Sequence, residues 1–150
     1  MKESEFYQRH IRKMSGLLHL ERIESAVGTG FPDVSAAGGG KQFLIETKVA
    51  KPVDGQDFLY FERFQLSFYQ KRLRYTEGTG IFIIALCTQD DTIKVWGASA
   101  ILDAKREPYK KWNRVKVSDI DSPLLTLLKP WTEKDLFVLG MVMIQNTQPC

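Results

Sequence analysis

The stretch GTGFPDVSAAGGGKQFLIETKVA, residues 28–50, decides how the chain is read. It sets a Pro-Asp pair beside a glycine turn, and then a Glu and a Lys two positions apart inside an apolar run. Side chains alternate along a strand, so Leu44, Glu46 and Lys48 share one face while Phe43, Ile45, Thr47 and Val49 share the other. The triple glycine at positions 38–40 folds the preceding segment back alongside, which brings Asp33 toward Glu46 at the edge of a sheet. The bland reading is that a Glu-x-Lys on an exposed strand face is a solvated pair worth well under ~1 kcal/mol. The Pro-Asp at this distance, on the adjoining strand, weighs against it.

Two carboxylates meeting at one edge require a cation. Magnesium meets that need: it prefers oxygen ligands, keeps several waters, and is commonly held by one or two carboxylates plus a phosphate oxygen. An ion so held polarises a phosphate and acidifies a bound water. Lys48 is then placed to position that water or to offset charge developing on the phosphate.

Composition bounds the rest. The 150 residues are 43% hydrophobic and 26% charged, the profile of one domain spanning 1–150. A net charge of +3 permits a polyanionic partner without demanding one. Cys87 and Cys150 fall in no ligand spacing, so neither a zinc site nor a disulfide framework is indicated. No stretch approaches a membrane span and MKESEFYQRHIRK has no apolar signal region, so the expected location is cytoplasmic, with no membrane partner.

The hydrophobic periodicity predicts an α/β chain. Phe6, Tyr7, His10, Ile11, Met14, Leu17 and Leu18 predict an amphipathic helix over 3–19. Extended segments follow near 21–27, 33–37 and 42–49 and form a meander. The loop AKPVDGQD leads to a second helix over about 62–77, where Phe61, Phe64 and Phe68 form a stripe with Gln65 on the same face. GIFIIALC, residues 80–87, reads as a strand covered on both faces, paired with TIKVWGA. A basic connection precedes a final helix capped by Thr132 and Asp135. GGGK at 38–41 lacks the remainder of a phosphate loop and precedes a strand, so it reads as a turn.

Pro32-Asp33 with Glu46-Thr47-Lys48 resembles the signature of the PD-(D/E)XK nuclease superfamily. RIESAVGTGFPDVSAAGGGKQFLIETK is similar to its small viral and phage replication-repair branch, in which an Arg-Ile strand, a Gly-x-Gly-x-Pro-Asp turn and a Glu-x-Lys strand follow in this order. The resemblance covers about residues 3–98. It implies a restriction-endonuclease-like core of helix, three strands, helix and strand, with a mixed central sheet flanked by helices; residues 99–150 match nothing in the pattern and are expected to form a C-terminal helical extension.

The resemblance further implies magnesium-dependent hydrolysis of DNA phosphodiesters, with manganese as a substitute ion. It assigns Asp33 and Glu46 as metal ligands, Lys48 as the catalytic lysine and Gln65, within FERFQLSFYQKR, as a helix-borne site residue; the alternative for Gln65 is a buried amide bonded to backbone. Thr47 departs from the family's more apolar residue. Family members add a carboxylate from the first helix, and helical phase selects Glu3, on the side of Phe6, Tyr7 and His10, over Glu5, which falls with Gln8, Arg9 and Arg12.

For DNA contact, KREPYKKWNRVK at 105–116 carries six basic residues against one acid, interleaved with Tyr109 and Trp112. Lys110, Lys111 and Arg114 are its candidate phosphate contacts, with Lys71 and Arg72 adding a helix face; the plain alternative is a solvated loop. The expected substrate is branched, flapped or junction DNA in phage or viral replication, recombination or repair, with a homodimer as one arrangement for paired nicks. Two rival readings stand beside it: an inactive DNA-binding module on a nuclease fold, and an RNA-cleaving relative.

Overall fold

The structure, a computed structural model, describes residues 1–23 and 30–149. Its centre is a six-stranded mixed sheet. An antiparallel meander supplies β1 (His19–Arg22), β2 (Val34–Gly38) and β3 (Lys41–Val49). Two further strands, β4 (Lys51–Val53) and β5 (Gln56–Glu62), follow in the chain but belong to a second sheet. Helix α2 (Arg63–Leu73) then carries the chain back, so that β6 (Ile81–Cys87) lies parallel to β3, and β7 (Thr92–Gly97) turns back beside it. The meander is as expected; of its first segment, residues 24–27 lie outside the described residues.

The apolar run of β6 is explained by its position. Phe82, Ile84 and Leu86 pack into a core on one face, while Ile81, Ile83, Ala85 and Cys87 pack into a second core on the other. A strand with helices or sheet on both faces has no solvent side to keep polar. The first core is closed by α1 (Glu3–Arg9), through Phe6 and Tyr7, and by the last helix; α2 contributes Leu66, Tyr69 and Leu73 to the second.

The first helix is shorter than its periodicity predicts. It ends at Arg9, and Ile11–Gly16 continues as a 3₁₀ segment. Ile11, Met14 and Leu17 recur every three residues, the period that aligns side chains on a 3₁₀ helix rather than an α-helix. A Cβ at Gly16 would lie 2.8 Å from the Phe137 ring, so the turn there is pressed against the last helix.

The segment read as a loop before α2 is instead the β4–β5 hairpin. Asp54 and Gly55 both take positive φ, 50° and 76°, the backbone of the tight turn that Asp-Gly favours. The basic connection is likewise a hairpin. After α3 (Ala98–Asp103), β8 (Glu107–Tyr109) and β9 (Trp112–Lys116) turn at Lys110, and β9 pairs with β5, completing a four-stranded sheet in the order β4-β5-β9-β8. Residues 99–150 are therefore not simply helical: they also add β10 (Leu125–Leu128) to the edge of the central sheet.

The final helix, α4 (Glu133–Gln145), has the expected capping box, with Thr132 Oγ1 accepting from the Asp135 amide at 3.2 Å and Asp135 accepting from the Thr132 amide at 3.0 Å. Leu136, Leu139 and Met143 are fully buried beneath it. Leu139→Ala is expected to cost about 2–5 kcal/mol, and Thr132→Ala only about 1 kcal/mol; denaturant unfolding of the two variants beside the parent checks both the size and the order.

Candidate active site

The site forms where β2 stops. Val34 opposite Ile45 is the last β2–β3 pair at this end, and β3 runs on to Val49 with its outer edge free of β2. Its other edge remains paired with β6 as far as Val49 opposite Leu86. The amide of Thr47, which would have continued the ladder, donates to Asp33 Oδ1 at 3.0 Å. Thr47 Oγ1 donates to Asp33 Oδ2 at 2.6 Å. The threonine that departs from the family pattern thus holds the aspartate from two directions, and it is fully buried in doing so. The next outward amide along this edge, Val49, lies against Glu3 on α1 and favours its ionised form.

Glu46 and Lys48 project from β3 on the side of α2, as the alternation predicts, and both are buried, at 4% and 5% exposure. Their charged ends lie 3.8 Å apart. The solvated-pair reading is therefore excluded. Lys48 Nζ donates to Gln65 Oε1 at 3.2 Å and sits 4.7 Å above the centre of the Phe61 ring. Gln65 Oε1 also accepts the Glu62 amide at 2.9 Å, closing a capping box at the start of α2. Gln65 is thus bonded to backbone, and the same oxygen that accepts that bond holds the lysine.

The aromatic stripe proposed around Gln65 does not exist as one face. Phe61 lies on β5 in the core, Phe64 is exposed, and Phe68 packs on Phe31 with ring centres 4.9 Å apart. The buried face of α2 is Leu66, Tyr69 and Leu73. Gly30 meets the start of the same helix, where a Cβ would fall 2.2 Å from the Phe64 carbonyl oxygen, and its φ of +85° suits glycine. The approach to Pro32-Asp33 is thus pressed directly onto the turn that carries Gln65.

Three carboxyl groups share this edge, and all are held above their ordinary range. Burial pushes Glu46 up to about 8; Lys48 opposes the rise, while Asp33 and Glu3 add to it. Burial also raises Asp33, against the two bonds from Thr47. Glu3, on the first turn of α1, keeps exposed surface; partial desolvation beside the cluster raises it, Lys48 and Lys51 lower it, and Asp33 adds to the rise. Glu5 instead pairs with Arg9 at 2.9 Å on the outer side of α1, so the structure brings Glu3 and not Glu5 to the cluster.

Tyr69 was not singled out from the sequence. It is fully buried one helical turn beyond Gln65, and its hydroxyl has no hydrogen-bond partner among the described residues. Burial first, then the charges of Glu46, Asp33 and Glu3, hold its pKa well above 10, so it keeps its proton. The i, i+4 spacing from Gln65 was the available signal. His10, in contrast, packs edge-on to Trp131 at 5.0 Å in the first core's helical layer.

The basic candidates lie on two parts of the fold. Lys110 and Lys111 are at the β8–β9 turn and Arg114 is on β9. Lys71 and Arg72 are exposed at the far end of α2, where Arg72 lines a cleft of about 610 Å³ with Phe31, Ser35 and Gln42.

Comparison with solved structures places this arrangement in a known fold. The chain is similar to Hjc, a Holliday junction resolvase from Archaeoglobus fulgidus, with a TM-score of 0.51 over 92% of this chain and 99% of the other at 14% identity. It is also similar to a bacterial homing endonuclease, with a TM-score of 0.52 over 96% of this chain and 91% of the other at 10% identity. The fold is the restriction-endonuclease-like α/β fold that the resemblance in residues 32–48 implies. No family model and no curated protein matches the sequence. No helix among the described residues is long and apolar enough to cross a membrane.

The raised carboxyl groups set a pH dependence with a definite sign. Between the ordinary glutamate value of 4.5 and about 8, the folded chain keeps a proton on Glu46 that the unfolded chain has released. Stability in the absence of divalent ions is therefore greatest on the acid side of this window and falls as pH rises through it. Glu46→Gln is expected to flatten the fall, which thermal melts across that range in chelator would show.

Proposed function

We propose that the chain is a divalent-metal-dependent endonuclease that hydrolyses DNA phosphodiesters at the open edge of β3. The observation that carries this reading is the buried Glu46–Lys48 pair, held by Gln65, beside Asp33 and Glu3. Glu46 Oε1 is buried and has no hydrogen-bond partner among the described residues. A carboxylate left so in a protein interior is costly unless charge is brought to it.

The donor set suits magnesium. Among the described residues no three Asp, Glu, His or Cys side chains come close enough together to hold a metal ion by themselves, and magnesium is ordinarily held by few carboxylates, completing its shell with water and substrate phosphate. Glu46 and Asp33, with Glu3 beside them, are the residues that would hold it, and manganese has the same oxygen preference. When bound, such an ion polarises the phosphate and makes its water more acidic.

The chain's own groups do the rest. Thr47 fixes Asp33 by two bonds and leaves further lone pairs on both oxygens. Gln65 holds Lys48 Nζ beside Glu46, so the ammonium has donors left for a phosphate oxygen, where it offsets charge that grows in the transition state. Water adds to phosphorus, the sugar oxygen leaves with a proton, and the burial of Glu46 and Lys48 strengthens each of these interactions relative to bulk water.

The fold shared with a Holliday junction resolvase supports branched or junction DNA as the substrate class. The inactive-module reading is disfavoured because a binding scaffold gains nothing from a glutamate whose burial opposes its own ionisation.

The test is a panel of labelled linear, flapped, forked and four-way DNAs with and without magnesium. Cleavage only with the ion, and of branched members first, is expected; an inert panel would return the chain to the binding-module reading. Asp33→Asn and Glu46→Gln are expected to abolish cutting while leaving DNA binding intact, and Lys48→Ala to slow turnover by roughly 10²-fold or more. Independently of cutting, magnesium should raise the melting temperature of the parent more at about pH 8.5 than at about pH 6, because the ligands must lose their protons to bind it, and Glu46→Gln should remove that difference.

A further inference from the structure

The second sheet has a core face and an outer face. Leu59, Phe61 and Val115 point into the second core. By strand alternation and register, Lys51 on β4, Phe58 and Tyr60 on β5, and Trp112, Arg114 and Lys116 on β9 point the other way, with Tyr109 on β8 opposite Trp112. Val115 is fully buried and its neighbours on β9 are only half-buried, which agrees with that division.

On this outer face cations and rings alternate, with Glu62 on β5 and Glu107 on β8 as its acids. Lys51 Nζ is 5.4 Å from the Tyr60 ring centre, and the Arg114 guanidinium is 4.7 Å from both the Phe58 and Tyr109 ring centres. Lys111 lies 5.8 Å from the Trp112 ring at the hairpin turn. Of the cations on this sheet, Arg114 has a carboxylate partner, Glu107; Lys51, Lys110, Lys111 and Lys116 have none among the described residues. Phe58 is the floor beneath Arg114 and Lys116, while Tyr60, Tyr109 and Trp112 keep exposed surface.

The face begins at the active site. Lys51 lies three residues beyond Lys48 in the chain and acts electrostatically on Glu3. At the other edge of that junction, β5 runs directly into the turn of α2 that holds Gln65.

We propose that the outer face of the β4-β5-β9-β8 sheet is a track for single-stranded DNA, on which an unpaired strand adjoining the scissile phosphate is held by base stacking on Tyr60, Tyr109 and Trp112 and by phosphate contacts to Lys51, Lys116 and the hairpin lysines. This rests on the nuclease reading and names the part of the substrate that reading leaves open. A duplex presents phosphates but keeps its base faces stacked on one another, so lysines alone would serve it. Exposed rings set between unpaired cations are the means by which proteins hold strands whose base faces are free.

The experiment uses the full chain carrying Glu46→Gln, so that binding is read without cutting. Fluorescence anisotropy is measured with a labelled single-stranded oligodeoxynucleotide, a duplex of the same length and a single-stranded RNA. The single DNA strand is expected to bind at least about tenfold tighter than the duplex. Tyr60→Leu with Tyr109→Leu, which keep bulk and lose the rings, should weaken the single strand by about tenfold or more and leave the duplex unchanged; Tyr60→Phe should retain binding. Lys51→Gln with Lys116→Gln should lower the salt slope by about 0.7 per lost phosphate contact. Binding should quench tryptophan fluorescence in the parent and not in Trp112→Phe.

Equal losses on single strand and duplex, or no loss from the leucine variants with their melting curves intact, would overturn the track; tighter binding of RNA than DNA would overturn its assignment to DNA. If the ring variants lose single-strand binding but the parent cuts no DNA in magnesium, the track stands and the nuclease reading falls. Cutting with ring-independent binding has the opposite meaning.

Discussion

Glu46 and Lys48 stand on a strand that has packed structure on both faces, and the rest of the site answers the difficulty this creates. A lone carboxylate in such a place takes up a proton rather than remain charged. A neighbouring ammonium makes the charged form tolerable, yet Lys48 at 3.8 Å does not cancel the burial, and Glu46 remains raised. Asp33 and Glu3 make it worse by adding like charge at the same edge. A chain selected for stability alone has a cheaper solution, an apolar pair of similar volume. The proposed cation and phosphate would each bring offsetting charge, the one to the carboxylates and the other to Lys48.

Two local devices make the edge rigid enough to hold this charge. The first is the replacement of a sheet ladder by a side chain. Where β2 leaves β3, Asp33 takes the orphaned amide of Thr47 and its hydroxyl as well, so the end of the pairing is also the positioning of the acid. The second is the use of a helix cap as a clamp. Gln65 satisfies the Glu62 amide and, with the same oxygen, holds Lys48. In both cases a bond that finishes secondary structure also orients a charged group, and the site is set by the ends of elements rather than by a loop of its own.

The second sheet extends this logic outward. Its β4–β5 hairpin is inserted between the strand that bears Glu46 and Lys48 and the helix that bears Gln65, so it emerges at the edge of the site by construction of the chain. Residues 105–116 then join it from a distant part of the sequence through β5–β9 pairing. Tyr60 and Arg114, more than fifty positions apart, become neighbours across two strands.

Much of this was legible in the sequence. Alternation put Glu46 and Lys48 on one face, the glycine turn returned Asp33 to them, helical phase chose Glu3 over Glu5, and Thr132 with Asp135 marked the start of α4. These are local rules, fixed by the period of a strand or helix and by the few residues at its ends. What required the tertiary structure was everything set by sequence-distant neighbours. Gly16, at the end of the 3₁₀ segment, is closed over by Phe137 of α4; the basic stretch is a hairpin because β5 offers it an edge; and the stripe of Phe61, Phe64 and Phe68 separates because the first of them belongs to a strand. The burial of Glu46, the two bonds from Thr47 and the unpartnered hydroxyl of Tyr69 arise only when β6, α1 and α2 close around β3. Burial is a property of what surrounds a residue, and a pattern along the chain records which side a residue faces but not what will come to cover it.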